Sequence, residues 1–246
     1  MNVASSARHL AWLLPLLIVA LAVWAVRSGR LEIPEQWNPW APLRIDAPPN
    51  LLTGFKLSRA SQDRGACRTA LAQADMTAVA LDDRATGEHC GFENAVRIER
   101  TSVAVGEPFS LSCRAALSLA MWERHVLQQA AQAHLAARVR RIEHFGSYAC
   151  RNLYGEQGRR RSQHATADAL DVSAFVLDDG RRISVLADWK PPVGGNGADV
   201  AGSQAAFLRA LHDGACGYFD VVLGPDYNRA HADHFHFDRG AARTCR

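Results

Sequence analysis

Two short segments of the chain hold residues that could act together on a metal ion. Residues 162–171, SQHATADALD, place His164 seven positions before Asp171, and residues 231–238, HADHFHFD, contain His231, His234 and His236. Two imidazoles and a carboxylate are typical ligands of an open catalytic zinc site, where a water molecule takes the fourth position and its pKa falls to about 7. A calcium site built from oxygens alone would not use histidines. The residue types therefore predict zinc.

A regular helix or strand cannot bring His164 and Asp171 together. Seven residues rise about 10.5 Å along a helix, and along a strand they cover more than about 20 Å and end on opposite faces. The chain must therefore bend between the two residues, and the small side chains of residues 165–167 allow a compact turn. We expect a strand to begin at about Ala169, with Asp171 near its start.

The second segment has the alternation of a strand. His234 and His236 then share one face, and Phe235 and Phe237 share the other. The phenylalanines predict a buried face and the histidines a polar one. Two simpler explanations remain for this segment, a surface strand or a pair of histidines packed in an ordinary core. A histidine and an aspartate at the spacing of the first segment also occur by chance, so the metal site depends on the two segments meeting.

The elements around these segments predict a mixed helix and strand domain. A hairpin is expected across residues 178–180, and a helix over about 203–213, capped by Ser203 and ended by Gly214. The main core helix is expected between residues 114 and 137, where apolar residues recur at spacings of three and four. The residues of that stripe are Leu119, Trp122, Val126, Ala130 and Ala133.

The first 30 residues predict a membrane anchor or a signal peptide. Residues 10–26 form an uninterrupted apolar run, which we expect to span the roughly 30 Å of a bilayer core. Trp24 favours a retained transmembrane helix, whereas the small residues at 20–22 resemble a cleavage site. The expected organisation of the chain is an anchor (1–30), a proline-rich stalk (31–50), a small strand-rich lobe (51–108) and a domain that contains both histidine segments (109–246).

The cysteines and the charge restrict the compartment and the partners. Six cysteines all follow the apolar run and none forms a CxxC pair, which predicts disulfides in an oxidising compartment rather than a zinc knuckle. Arg27 and Arg30 would instead favour a cytoplasmic body by the positive-inside rule. Giving the cysteines more weight, we expect a single-pass inner-membrane protein with its domain in the periplasm. The net charge is +3, and the basic run at 158–163 has no interleaved aromatics, so nucleic acid is not an expected partner.

Both histidine segments resemble motifs of a known superfamily. SQHATADALD is similar to the SxHxxGxAxD signature of the D-alanyl-D-alanine carboxypeptidases and dipeptidases, and HADHFH resembles the HxxHxH ending of the penicillin-insensitive murein endopeptidases. Over residues 33–246 the chain resembles more closely the extensin-like C-terminal domain family of bacterial envelope proteins, a distant relative of these zinc peptidases. Five motifs in order carry that resemblance: WNPWAPL, HFGSYACR, DGRRISVLADW, DGACGYF and LGPDYN.

The resemblance to the zinc peptidases implies roles for individual residues. His164, Asp171 and His236 match the zinc ligands. His234 matches the histidine of the HxH pair that does not bind the metal and can accept a proton from the zinc-bound water. His231 matches the outer histidine of the same motif.

Further matches and departures concern the surroundings of the site. Arg151 occupies about the place of the arginine that holds the substrate carbonyl or its oxyanion, and Ser162 would support the first histidine ligand or the substrate. Ala167 stands where the signature usually has glycine. No Glu-x-x-His precedes the last ligand, so the glutamate base of the carboxypeptidases is missing. Asp168 and Asp233 are alternative carboxylates, although Asp233 should face away from the metal and Asp168 could be a solvated turn residue.

The resemblance implies both a fold and an activity. The fold is α+β, with a small antiparallel sheet and flanking helices like the zinc D-Ala-D-Ala peptidases, and the apolar run predicts an N-terminal transmembrane helix before it. The activity is zinc-dependent hydrolysis of an amide bond in peptidoglycan stem peptides or cross-links. Two alternatives stay open: a module that binds cell-wall peptide without cleaving it, and a structural domain stabilised by disulfides in which the histidines are merely packed.

Overall fold

The computed structural model describes residues 3–190 and 198–246. The chain divides into two compact units, Met1–Ala41 and Pro42–Arg246. The first unit contains the helix α1 (Val3–Arg27) and a short 3-10 turn. The second unit contains the other described helices and all of the described strands, so the two histidine segments belong to it.

The predicted transmembrane helix is wrong. None of the helices formed by the described residues is long and apolar enough to cross a membrane. The apolar run at 10–26 supplies 17 residues between His9 and Arg27, whereas a hydrocarbon core of about 30 Å requires about 20.

The second unit mixes helices and strands, which confirms the α+β part of the predicted fold. Its described α-helices are α2 (Thr53–Gln62), α3 (Arg64–Leu71), α4 (Cys113–Trp122), α5 (Gln128–Leu135), α6 (Val185–Asp188) and α7 (Ala198–Ala215). Its described strands are β1 (Thr77–Ala80), β2 (Arg84–Gly87), β3 (Cys90–Phe92), β4 (Ala95–Arg100), β5 (Ala104–Val105), β6 (Phe109–Ser112), β7 (Val139–Gly146), β8 (Ala169–Leu177), β9 (Arg182–Ser184), β10 (Val221–Leu223), β11 (Phe235–Asp238) and β12 (Thr244–Cys245).

The main sheet is larger than the small antiparallel sheet that we expected. Its strand order is β12-β10-β11-β8-β7-β5, and β9 pairs with β8. The strands from β10 to β7 are antiparallel, whereas the outer pairs β10–β12 and β5–β7 are parallel. Strand β8 begins at Ala169, as predicted, and eight of its nine residues are buried. It is therefore a central strand, and the side chains of its first residues are held rigidly.

The segment 51–108 differs from the separate strand-rich lobe that we expected. It begins with the helices α2 and α3 and belongs to the same compact unit as the rest of the domain. Its strands also depend on partners beyond residue 108. The sheet β1-β4-β6 takes β6 from the later segment, and β5 pairs with β7 of the main sheet. A border at residue 108 would therefore cut two sheets.

The core helix forms as predicted, but the positions that it buries shift halfway along its length. Between α4 and α5 the chain makes a π-helical turn at Glu123–Leu127. A π turn adds one residue to the helix and rotates the following side chains. The buried stripe therefore continues through Leu127 and Ala131, whereas the predicted Val126 is only half-buried and the predicted Ala133 is exposed.

The predicted hairpin is present, and the last helix is longer than predicted. Strands β8 and β9 pair across residues 178–180. Ser203, the predicted cap, lies inside α7, which continues to Ala215. Gly214 has a packing role instead, because a Cβ atom there would lie 2.4 Å from a methyl group of Val126. The glycine allows α7 to approach the π turn closely.

All six cysteines form disulfides, which confirms that prediction. The pairs are Cys67–Cys113, Cys90–Cys150 and Cys216–Cys245. The first joins α3 to the start of α4, and the third joins the end of α7 to β12. The second joins β3 to the residue immediately before Arg151. It therefore restrains the segment in which the resemblance placed a substrate-binding arginine.

Candidate metal centre

Strands β8 and β11 place Asp171 directly beside His236. The two residues are partners in the antiparallel register, where side chains on one face lie about 5 Å apart. Phe235 and Phe237, on the opposite face of β11, are completely buried. Burial of both rings fixes the register of β11 and therefore turns His236 to the face that carries Asp171. The predicted alternation of the HFH segment is confirmed from His236 onward, and His234 immediately precedes the strand.

A tight turn before β8 places His164 at the same point. Residues Gln163–Thr166 form a 3-10 turn, and the Ser162 hydroxyl accepts a hydrogen bond from the His164 amide at 3.3 Å. Ala167 then adopts a left-handed conformation with φ of 55°. Glycine takes this conformation without steric cost, which explains why glycine suits this position in the zinc peptidase signature. The chain bends here as the spacing predicted, and Ser162 supports the histidine rather than lying free.

The donor groups of three side chains converge between the turn and the two strands, and they form a triangle. His164 Nε2 lies 3.1 Å from Asp171 Oδ2 and 3.2 Å from His236 Nδ1, and His236 Nδ1 lies 2.8 Å from Asp171 Oδ1. Ligands about 2.0–2.1 Å from a tetrahedral zinc ion are about 3.3 Å apart. The triangle therefore fits zinc after an expansion of a few tenths of an ångström. Two imidazoles and one carboxylate are also the donor types that zinc prefers.

The charges of the three groups are strongly coupled. Burial alone would raise the pKa of Asp171, but hydrogen bonds with His164 and His236 lower it far below its usual range. Burial would likewise lower the pKa of His236, but hydrogen bonds to Asp171 and Asp238 outweigh it and raise the pKa to about 9. Without an ion the cluster thus holds a proton on an imidazole beside an ionised carboxylate. A cation can replace that positive charge when the histidine loses its proton.

Each histidine of the triangle is also held at its outer ring nitrogen. His164 Nδ1 lies 3.2 Å from the carbonyl oxygen of Ser147, and His236 Nε2 lies 3.0 Å from Asp238 Oδ2. Such contacts orient the rings of metal ligands. Sequence reasoning did not identify Asp238. The alternation of the strand could have identified it, because Asp238 lies two residues after His236 and therefore on the same face.

His234 lies at the edge of the triangle with one nitrogen turned toward it. Its Nε2 atom is 3.6 Å from Asp171 Oδ1, and its Nδ1 atom is 2.8 Å from Asp233 Oδ1. The exposed ring of Phe145 packs edge-on against it. Asp233 lies before β11 rather than on it, and its carboxylate orients His234. A histidine held in this way by a carboxylate presents its other nitrogen as a proton acceptor.

His231 is the third member of a small group of histidines that also contains His234 and His236. Its ring lies 5.2 Å from that of His234 and 5.8 Å from that of His236, and its Nδ1 is 2.8 Å from Asn228 Oδ1. Burial and the neighbouring histidines lower the pKa of His231 to about 4. At neutral pH the ring is therefore uncharged and adds no repulsion toward a bound cation.

The sequence profile of the family described as "Extensin-like protein C-terminus" matches residues 65–246, well over half of the chain. The chain belongs to this family. Searches of the curated proteins and of the solved structures found no significant match. The matched range begins in α3 and includes both histidine segments, so the candidate metal centre lies within the extensin-like domain. The closer of the two resemblances read from the sequence is confirmed over residues 65–246.

A cleft of about 610 Å³ in the extensin-like domain contains the candidate metal centre. Arg151, Tyr154 and Tyr227 line the cleft together with the histidines, and all three side chains are exposed. Asn228 donates a hydrogen bond to the Tyr154 hydroxyl at 3.1 Å. Arg151 thus lies in the same cleft as the triangle, as the resemblance to the peptidases implied, and the aromatic residues form walls that sequence reasoning missed.

Asp168 has neither of the roles that the sequence allowed. It is buried, with 4% of its surface exposed, and forms two hydrogen bonds with Arg114 at 2.6 and 2.7 Å. The hydroxyls of Ser112 and Thr166 also donate to it. A larger depression of about 1010 Å³ is lined by this ion pair. Because the two charges already satisfy each other, Asp168 anchors the turn that carries His164 instead of binding a metal.

Proposed function

We propose that the protein is a zinc-dependent hydrolase that cleaves peptide bonds of peptidoglycan in the periplasm. The observation that carries this proposal is a triangle of three metal-donor atoms beside a histidine that is oriented toward it but lies at its edge. Three protein donors and a separate proton acceptor are the parts of a hydrolytic site, whereas a structural zinc site has four protein donors.

His164, Asp171 and His236 would hold the ion. Bound zinc would supply a Lewis acid and a water molecule whose pKa is lowered to about 7. His234 would take the proton of the attacking water at Nε2, because Asp233 holds its Nδ1–H and stabilises the ring once it is protonated. Transfer of that proton to the leaving amine would complete the hydrolysis.

Arg151 would stabilise the negative charge that develops on the scissile carbonyl oxygen. Arg151 lines the cleft, and a positioned cation of this kind acts where charge forms in the transition state. The Cys90–Cys150 disulfide restrains the backbone beside it. The position of Arg151 is further fixed by its carbonyl, which accepts a hydrogen bond from the Ser162 amide at 3.0 Å, at the start of the turn that carries the first ligand.

The substrate and the compartment rest on two supports. The resemblance of both histidine segments to D-Ala-D-Ala carboxypeptidases and murein endopeptidases favours a stem peptide or a cross-link. Three disulfides favour an oxidising compartment, and the periplasm is where such a compartment meets peptidoglycan. The two tyrosines and the arginine of the cleft suit an extended substrate that carries carboxylates.

The test is digestion of purified peptidoglycan by the full chain, with and without a chelator, together with metal analysis. We expect zinc-dependent release of peptide fragments. His236→Ala should lose both zinc and activity, whereas His234→Ala should retain zinc and be slowed on the order of 100-fold if it is the base. Zinc binding and peptide binding without any turnover would identify a binding module. A zinc ion lost equally in both variants would mean that four groups close the site, which contradicts a hydrolase.

A further inference from the structure

Asp238 lies at the end of β11 in a position that the fold fixes from both sides. It is buried, with 6% of its surface exposed, and it pairs in register with Ala169 of β8 and Val221 of β10. One of its oxygens, Oδ1, accepts a hydrogen bond from the Gly240 amide at 2.8 Å. The other, Oδ2, lies 3.0 Å from His236 Nε2. The carboxylate therefore has one oxygen for the backbone and one for the histidine.

Close packing around Gly240 maintains this arrangement. A Cβ atom at residue 240 would lie 3.1 Å from Asp238 Oδ1 and 2.8 Å from the side-chain amide of Gln163. Glycine therefore permits the backbone to approach both side chains. Because the Gly240 backbone amide donates to Oδ1, rotation of the carboxylate away from His236 would lose a buried hydrogen bond.

The contact with Asp238 determines which nitrogen of His236 carries a proton. A carboxylate accepts hydrogen bonds, so Nε2 must carry the hydrogen that it donates to Oδ2. The lone pair of the neutral ring is then on Nδ1, the atom that faces Asp171 and His164. Only this tautomer can bind a cation in the triangle.

The two histidine ligands differ in how their outer nitrogens are held. His164 donates to a backbone carbonyl, that of Ser147, whereas His236 donates to a charged side chain. A carboxylate partner raises the basicity of a metal-binding imidazole more than a neutral carbonyl does. No substitution can remove the first contact directly, because it is made by the main chain. The second can be removed by changing one residue.

We infer that Asp238 is a positioning residue for the metal centre: it fixes the ring orientation and the tautomer of His236 and strengthens His236 as a ligand. The inference rests on the proposed metal site but adds a residue whose carboxylate contacts a ligand, His236, rather than the donor atoms of the triangle. It predicts that the carboxylate contributes to metal affinity through His236 alone.

Asp238→Asn tests the tautomer directly. Gly240 donates to the oxygen at the Oδ1 position, so the introduced side-chain amide would place its NH₂ group toward His236 and require Nε2 to accept. The ring proton would then lie on Nδ1, where the ion should bind. We expect zinc affinity, measured by competition titration of the full chain, to fall about 10- to 100-fold. Asp238→Ala should also weaken binding, and no more than Asp238→Asn does.

A matched control is available elsewhere in the domain. Asp213 lies 2.9 Å from His212 Nδ1, so it is a second carboxylate on a histidine ring, but its side chain is 76% exposed. Asp213→Asn should leave zinc affinity unchanged. Unaltered affinity in both Asp238 variants would overturn the inference, as would an equal loss in Asp213→Asn.

A measurement on the unmodified protein does not depend on whether the variants fold. Long-range ¹H–¹⁵N spectra of the zinc-loaded chain should show His236 protonated at Nε2 and bound through Nδ1. The opposite tautomer would contradict the role of Asp238 while leaving zinc binding intact. A wild-type chain that binds no zinc would be a different result, because it removes the proposed metal site itself and the role of Asp238 with it.

Discussion

Two places in the described part of the chain bring three metal-binding side chains within 4.8 Å of one another. One is the candidate metal centre of His164, Asp171 and His236. The other consists of His212, Cys216 and Cys245. The first has three donor atoms available for an ion. In the second the two sulfurs are bonded to each other, so only the histidine is left to bind.

The difference shows that ligand type and proximity do not make a site by themselves. In the metal centre each histidine is oriented from outside by an oxygen, and a cleft opens over the triangle. In the second cluster His212 is packed against the rings of Trp189 and Phe235, and its buried Nε2 has no hydrogen-bond partner among the described residues. We therefore expect the second cluster to stabilise the fold, and we propose that only the first binds an ion.

The largest effect should distinguish the two clusters by metal affinity. His164→Ala removes one of three donors, so we expect zinc affinity to fall by more than about 100-fold, beyond the range of changes that act around the ligands. His212→Ala is the matched control, since it removes a buried histidine from the other cluster. Competition titration with a zinc indicator measures both. A comparable loss in His212→Ala would break the comparison.

The disulfide of the second cluster should affect stability rather than metal binding. Replacing Cys216 and Cys245 together by serine releases a cross-link between residues 29 positions apart. The free energy of unfolding should fall by about 3 kcal/mol, because the unfolded chain gains conformational freedom. Urea unfolding measures this loss, and zinc titration of the folded variant should match the wild type. A variant of normal stability that binds zinc poorly would reverse the assignment of the two clusters.

Glu123 is a buried acid that belongs to neither cluster, and its effect on stability should depend on pH. Burial raises the pKa of Glu123 to about 7, although the Ser102 amide and hydroxyl both donate to it. The folded state therefore favours the neutral acid. The resulting stability is present below about pH 4.5, the unfolded pKa, and is lost as the pH rises to 7.

Glu123→Gln removes this titration. Between pH 4.5 and 7.5 the wild type should lose stability relative to the variant, on the order of 2 kcal/mol. Unfolding by urea at several pH values measures the difference, and zinc affinity at constant pH should not change. Parallel stability curves for the two proteins would mean that Glu123 is already ionised in the fold. Buried Asp171 differs from Glu123 because imidazoles, rather than a hydroxyl and an amide, surround it.

The sequence was sufficient to predict those parts of the candidate site that depend on local pattern. The spacing of His164 and Asp171 required a bend, and the alternation of His236 with two phenylalanines required a strand, and both are present. Asp238 followed the same alternation and could have been found. The sequence reasoning failed where distant residues decide. No local pattern around Asp168 indicates that it is buried and forms an ion pair with Arg114, which lies far away in the chain.

The helical errors have similar causes. A single additional residue in the π turn shifted the buried face of the core helix, and periodicity over short windows cannot detect it. Gly214 carried the usual signal of a helix end but serves the close approach of Val126. The apolar N-terminal run resembled a membrane span in its composition, but the helix that contains it is not long and apolar enough to cross a membrane. In each case a local rule was correct in kind, and tertiary context determined the result.

X-ray absorption spectroscopy of the zinc-loaded full chain tests the central claim most directly. The account predicts one zinc ion with two imidazole nitrogens, one carboxylate oxygen and one oxygen from solvent, all at about 2.0–2.2 Å. Scattering from sulfur at about 2.3 Å would place the ion at the cysteine cluster. A third imidazole without a solvent ligand would describe a closed structural site. Either result would contradict a hydrolytic centre formed by His164, Asp171 and His236.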